Sequence, residues 1–126
     1  MKRIPTLIGI AGHVKGAKFP LEYGVKLVIG RSREANISLQ KMEAWDRLSP
    51  EEREKDEGFR TVSGKHFEIV MYNAKSIELS NLSSNGTWLD DKPVKQSIID
   101  DLDRRAHLIR FGKTEIFRSE LADAES

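Results

Sequence analysis

The sequence predicts an all-β fold, a β-sandwich carrying a polar, partly helical insertion around residues 40–60. Three observations predict it. Short runs with apolar residues at alternate or successive positions recur along the chain, among them Lys26-Leu27-Val28-Ile29, Phe67-Glu68-Ile69-Val70, Ser76-Ile77-Glu78-Leu79 and Thr114-Glu115-Ile116-Phe117. Turn-forming residues separate them, as at Asn73-Ala74, Asn85-Gly86 and Asp90-Asp91-Lys92-Pro93. Helical signals concentrate in one polar stretch. Two sheets that each bury one face, leaving the loops at an end free for binding, satisfy this pattern.

Taken in order, Leu7-Ile8-Gly9-Ile10 is a first strand, and His13 to Pro20, mixing glycine and lysine, turns the chain. Lys26-Leu27-Val28-Ile29 is a second strand that runs straight into Gly30-Arg31, and Asn36-Ile37-Ser38-Leu39 is a short third. The character changes at Gln40. Met42, Ala44, Trp45 and Leu48 have a weak helical spacing, and Ser49-Pro50-Glu51-Glu52 is a strong helix start. Ser49 serves as N-cap, Pro50 loses nothing at the first helical position, and Glu52 completes a capping box. Gly58 reads as the stop. The plain reading of this insertion is a solvated loop elaboration.

Strands return after Thr61. The runs at 67–70 and 76–79 are followed by Thr87-Trp88-Leu89 beyond the Asn85-Gly86 turn. Val94, Ile98, Ile99 and Leu102 are apolar points in a less regular stretch, and 107–117 closes as a hairpin. Residues 119–126 read as a frayed or briefly helical tail, so the expected domain is residues 1–118, including the insertion, with 119–126 as its tail.

The 126 residues suffice for one domain with a core that needs no staples. Without cysteine there is no disulfide framework, thiol catalysis or thiolate metal site, and an intracellular, for instance cytoplasmic, setting is the expectation. The 3 histidines are far apart and show no metal-ligand spacing, so neither a metal nor a cofactor is expected. No apolar run approaches the roughly 20 residues that would span a bilayer, and the start MKRIPTLIGIAG is too short and strand-like for a secretion signal. The near-zero net charge hides a split. Residues 1–39 hold seven basic and two acidic side chains, whereas 61–126 hold nine and eleven. A positive first third suits a small anionic ligand, but it lacks the dense basic stripe that nucleic acid requires.

Three polar turns carry the chemistry: Gly30-Arg31-Ser32, Val62-Ser63-Gly64-Lys65-His66, and Asn81-Leu82-Ser83-Ser84-Asn85-Gly86-Thr87. A phosphate monoester near neutral pH carries about −1.5 to −2 charges and three strong acceptor oxygens. Arg31 offers a permanently charged planar fork, Ser63 and Ser84 offer hydroxyl donors, and Lys65 adds a mobile positive charge. Asn85 has a donor and an acceptor for the backbone of an extended ligand. Gly64 and Gly86 permit turns that a Cβ would resist. No nucleophile–base pairing is visible, and the aspartates at 90, 91, 100, 101 and 103 form no coordination pattern, so catalysis is not expected.

In this order Gly30-Arg31, Ser63-Gly64-Lys65-His66 and Asn85-Gly86-Thr87-Trp88 form a signature that resembles the forkhead-associated (FHA) domain family, over roughly residues 5–118. The Val28-Ile29 lead-in, Asn36-Ile37 and Phe111-Gly112 match in kind. The resemblance implies a sandwich of about eleven strands that binds phosphothreonine peptides without catalysis. It implies phosphate contacts from Arg31, Ser63, Ser84 and Lys65 and a peptide-backbone contact from Asn85. Gly30, Gly64, His66 and Gly86 would support the loops, His66 as the histidine that braces the phosphate loop from behind.

The partner so implied is a phosphothreonine-containing protein, such as a Ser/Thr kinase or its substrate, with no nucleic acid and no membrane insertion. Three positions depart from the pattern. Gly64 stands where many members carry a polar or basic side chain, Asp90-Asp91 replaces an Asn-Gly turn, and the 40–60 segment replaces a short connector. For that segment the expectation is that Trp45, or the helix beginning near Ser49, restricts access or recognises a partner. The competing function is a phosphorylation-independent scaffold that binds proteins through the sandwich or its insertion.

Overall fold

The computed structural model describes residues 3–123. Eleven strands form two sheets: β1 (Arg3–Ala11), β2 (Lys18–Pro20), β3 (Lys26–Gly30), β4 (Ile37–Ser38), β5 (Phe67–Asn73), β6 (Ser76–Asn81), β7 (Thr87–Leu89), β8 (Lys92–Val94), β9 (Gln96–Ile99), β10 (His107–Phe111) and β11 (Glu115–Asp123). The six-stranded sheet runs β2-β1-β11-β10-β7-β8 and the five-stranded sheet β4-β3-β5-β6-β9. The all-β sandwich read from the sequence is the fold observed.

Period-2 alternation sets the core. Leu7, Ile109, Phe111 and Phe117 from one sheet and Ile29, Phe67, Ile69, Ile77 and Leu79 from the other are each fully buried. Phe67 and Phe111 meet edge-on with centroids 5.0 Å apart, and Phe111 stacks on Phe117 at 5.6 Å. Among the described residues no helix is long and apolar enough to cross a membrane.

Three expectations are corrected. The segment from Ser119 is not a frayed or helical tail but the second half of β11, with Ser119 opposite Leu7, Leu121 opposite Pro5 and Asp123 opposite Arg3. Taken alone, Ser119-Glu120-Leu121 lacks strand propensity, but β1 begins early enough to supply a partner, and cross-strand pairing outweighs propensity. Residues 124–126 lie outside the described residues.

Gly58 is not a helix stop. The insertion holds three short helices, α1 (Glu43–Asp46), α2 (Pro50–Glu54) and α3 (Glu57–Arg60). The expected capping box of Ser49 and Glu52 starts α2, which already ends at Glu54. Gly58 lies inside α3, where a Cβ would sit 2.6 Å from the Thr114 hydroxyl, so close packing explains the glycine.

Nor is the insertion solvated throughout. Met42, Trp45 and Phe59 join the hydrophobic core, each 8% exposed. Trp45 therefore does not present itself to a partner. The stretch from His13 turns the chain, through a 3-10 turn at Gly12–Val14, and then adds the short strand β2.

Candidate functional site

One end of the sandwich gathers the three polar turns. Antiparallel pairing of β3 with β5 places Ile29 opposite Phe67 and aims both connecting loops the same way. Beyond the strands the ladder continues: the Arg31 N–H donates to the Ser63 carbonyl at 2.9 Å, and the Ser32 N–H donates to the Gly64 carbonyl at 3.1 Å. Gly30 is required for this approach, because a Cβ there would lie 2.2 Å from the Gly64 oxygen. The Arg31 carbonyl is held in turn by the Gln40 side-chain amide at 3.0 Å. Arg31 and Ser63 are both half-buried.

His66 joins the second loop to the third. Fully buried beside Phe111, its Nδ1 accepts the Ser63 N–H at 3.0 Å, which leaves the proton on Nε2 to donate to the Gly86 carbonyl at 2.6 Å. Burial holds the imidazole pKa below its ordinary 6.5, against the opposing pull of the Gly86 bond, and so favours this neutral tautomer. Gly86 adopts φ 89°, a left-handed conformation natural to glycine. Gly30, His66 and Gly86 thus hold the loops against one another.

Gly64 is different. A Cβ there would meet only Ser32 Cβ at 3.6 Å, an ordinary contact, so the loop uses its carbonyl rather than its lack of a side chain.

The third loop is organised by residues that the sequence did not single out. Ser83, only 6% exposed, places its Oγ 2.5 Å from Ser63 Oγ and accepts the Asn85 N–H at 3.0 Å. When Ser83 donates to Ser63 Oγ, the Ser63 proton is free to point at a ligand. Behind it, Asn81 Oδ1 accepts from the Ser83 N–H at 3.2 Å and the Thr87 hydroxyl at 2.8 Å, while Nδ2 donates to the Ser83 carbonyl at 2.9 Å. The sequence signal for this clamp is an Asx turn, Asn81-Leu82-Ser83. Asn85 is exposed and donates one amide proton to the Thr61 carbonyl at 2.9 Å, keeping its second proton and its oxygen for a ligand. Ser84 and Lys65 are exposed on their loops, at the rim of this network.

Beside Asn85 opens a cleft of about 240 Å³ lined by Thr61, Asn85, Trp88, Arg110, Gly112 and Lys113. The Arg110 guanidinium lies over the Trp88 ring, 4.1 Å from its centroid. Trp88 thus forms a wall of the cleft and also carries a cation. A larger groove of about 550 Å³ follows β8 and β9. There His107 bridges Asp90 at 2.5 Å and Asp101 at 2.6 Å. Among the described residues no group of three or more His, Asp or Glu is placed to hold a metal ion. The structure thus brings Arg31, Ser63, His66, Asn85 and Gly86 into one connected end.

Comparison with known proteins accords with this geometry. Among curated proteins, none matches the chain. Among solved structures, one from a study of phosphothreonine-dependent FHA domain interactions is 25% identical, with a TM-score of 0.63 over 94% of this chain and 97% of the other. The FhaA FHA domain, solved with the intracellular domain of Rv3910, is 25% identical with a TM-score of 0.60, covering 90% of this chain and 98% of its own. The FHA domain of CT664 protein from Chlamydia trachomatis shares the fold at 23% identity and a TM-score of 0.65, covering 97% and 98%. The FHA domain family matches residues 27–112, which span all three polar turns, and the chain belongs to that family.

Proposed function

We propose that this protein is a phosphothreonine-dependent interaction module that recruits a phosphorylated partner, a Ser/Thr kinase or a kinase substrate, and performs no chemistry on it. The observation that carries the reading is the backbone pairing of Arg31 with Ser63. It ties the loop that carries a guanidinium to the loop that carries a hydroxyl, and on half-buried loops joined in this way hydrogen bonds to a dianionic ester are least diluted by ordering entropy. The two relatives at 25% identity support it: one comes from work on phosphothreonine-dependent interactions, and the other is held in complex with an intracellular protein domain.

In this reading Arg31 and Ser63 grip the phosphate, Ser84 and Lys65 close on it from the rim, and Asn85 pairs with the ligand's main chain. The cleft beside Asn85 receives a side chain further along the peptide. Titration with matched peptides bearing phosphothreonine, phosphoserine or unmodified threonine tests the proposal. The expected order of affinity is phosphothreonine, then phosphoserine, with the unmodified peptide far behind. Equal affinity for phosphorylated and unmodified forms rejects it.

A further inference from the structure

We infer that the 40–60 insertion is a brace for Arg31, with Phe59 as the positioning residue that aims the guanidinium. This rests on the phosphate-binding reading above and extends it to residues outside the three turns. Phe59 lies in α3, and the Arg31 guanidinium carbon stands 5.8 Å from the centre of its ring, within the reach of a cation–π attraction. On its other side Phe59 stacks on Trp45, with centroids 3.8 Å apart and ring planes 14° from parallel. Trp45 is covered in turn by the Arg53 guanidinium, 5.0 Å from its ring, and Arg53 also donates to the Trp45 carbonyl. Arg53, Trp45, Phe59 and Arg31 thus form one continuous column that begins in the insertion and ends at the proposed phosphate ligand.

The column is locked to the sandwich by a second set of bonds. Asp56 uses both carboxylate oxygens: one accepts the Phe59 N–H at 3.0 Å and caps α3, the other meets His13 Nε2 at 2.6 Å. The His13 ring stands edge-on to both Trp45 and Phe59, at 5.6 and 5.9 Å. His13 is itself fixed, because the N–H groups of His13 and Val14 donate to the buried carboxyl of Glu115, the first residue of β11. A connection therefore runs from β11 through the 3-10 turn and Asp56 to the ring beneath Arg31. An arginine side chain on an open loop would sample many rotamers, and holding one of them in advance removes part of the ordering cost of binding. Trp45 and Phe59 are each 8% exposed, which suits a brace better than a surface for a partner.

The test uses the protein chain as it stands, with a degenerate pool of phosphothreonine heptapeptides as probe. Phe59→Leu keeps apolar volume and removes the ring face. At a temperature where the variant stays folded it is expected to weaken binding about three- to tenfold, alongside a lower melting temperature from the lost Trp45 stack, and Phe59→Tyr to restore both. In an Arg31→Ala background Phe59→Leu is expected to have no further effect on binding, an outcome that a merely structural role would not produce. Should Phe59→Leu fail to fold, Phe59→Met replaces it under the same criteria. If the wild type binds the pool and Phe59→Leu binds it equally well, or loses as much again without Arg31, the brace is refuted while the phosphate-binding reading stands. A wild type that ignores the pool overturns both.

Discussion

Ser63 and His66 share a hydrogen bond, N–H to Nδ1 at 3.0 Å, that requires His66 to be neutral on that nitrogen. A proton on Nδ1 would oppose the Ser63 N–H and release the loop that carries a proposed phosphate ligand. Burial sets the folded imidazole pKa below the ordinary 6.5, so the unfolded chain takes up the proton first as pH falls. The contribution of His66 to stability is therefore complete above pH 6.5 and is lost as pH drops below it through the folded pKa. Denaturant unfolding of the unliganded protein should show stability falling with acid over this range, and His66→Gln should flatten the slope. Measuring without peptide matters, because a phosphate ester also titrates near pH 6.

Arg31→Ala should remove most of the discrimination between phosphorylated and unmodified peptide. Two charge-assisted hydrogen bonds at about 1.5–3 kcal/mol each, less what ordering recovers, suggest a loss of roughly two orders of magnitude. Arg31→Lys should restore only part, since an ammonium cannot reproduce the paired geometry. Ser63→Ala should cost about tenfold, because Ser83 Oγ then loses its partner at 2.5 Å as the ligand loses a donor. Isothermal titration with one phosphothreonine peptide and its unmodified twin reads all three variants. An Arg31→Ala protein that still prefers the phosphorylated form tenfold or more contradicts the assignment.

Asn81 is expected to matter more for folding than any residue proposed to touch the ligand. Its amide makes three hydrogen bonds within the third loop, to the Ser83 N–H, the Ser83 carbonyl and the Thr87 hydroxyl. Asn81→Ala removes them and leaves Thr87, fully buried, without that partner. The expected cost is about 2–3 kcal/mol, or a melting temperature lower by roughly 8–15 °C. Asn81→Asp keeps the acceptor but faces the Ser83 carbonyl with a second oxygen, so it should recover only part of the loss. Thermal melts followed by circular dichroism separate these outcomes.

How much of this was legible in the sequence follows from the range of each interaction. Strands such as Phe67–Val70 announce themselves because period-2 alternation is local, and the Ser49–Glu52 capping box closes over four residues. The proposed roles of Arg31 and Ser63 came from motif order, but their backbone pairing depends on the β3–β5 register, which no local pattern encodes. Ser83 was hidden beside Ser84: two adjacent hydroxyls look alike in sequence, and only the fold turns one inward and the other outward. Trp45 and Phe59 were obscured because three short helices with few apolar residues give little periodicity, although the stack they form is fully packed. Gly58 shows the same limit, since a glycine kept for close packing reads like a glycine kept for a helix end.

The cleft beside Asn85 should favour an acidic ligand side chain. Its lining includes two cations, Arg110 and Lys113, and no carboxylate. Arg110 is restrained by Trp88 at 4.1 Å, whereas Lys113 is exposed and free to follow a ligand. A peptide array varied at each position after phosphothreonine is expected to enrich aspartate or glutamate at one of them. An exposed ion pair contributes about 0.2–1 kcal/mol, so the preference over lysine should be a few-fold and should shrink with added salt. Lys113→Glu should cancel or reverse it. An array that selects an apolar residue, unaffected by Lys113→Glu, would assign the cleft to Trp88 instead.

The β7–β8 turn offers a test in which two adjacent aspartates answer in opposite directions. Asp90 and Asp91 both adopt left-handed backbone conformations, with φ 48° and 68°, the pair a tight hairpin turn requires. For a side chain this conformation is strained. Asp91 is exposed, so Asp91→Gly should relieve strain and stabilise the protein by about 0.5–1 kcal/mol once the added chain entropy is deducted. Asp90→Gly relieves the same strain but removes a carboxylate that accepts from the Leu108 N–H at 2.9 Å and meets His107 Nδ1 at 2.5 Å.

His107 is only 5% exposed, and losing one of its two carboxylate partners should outweigh the relief, giving a net loss of about 1–2 kcal/mol. The acid limb supplies a second readout. Burial works to raise the Asp90 pKa, but the Leu108 and His107 bonds overcome it and hold the carboxyl below its ordinary 3.8. Its contribution is therefore present above pH 3.8 and lost as pH falls through the folded value, and Asp90→Gly should lose that part of the acid dependence while Asp91→Gly retains it. If the two glycine variants stabilise equally, the His107 clamp contributes nothing and the turn keeps its aspartates for some other reason.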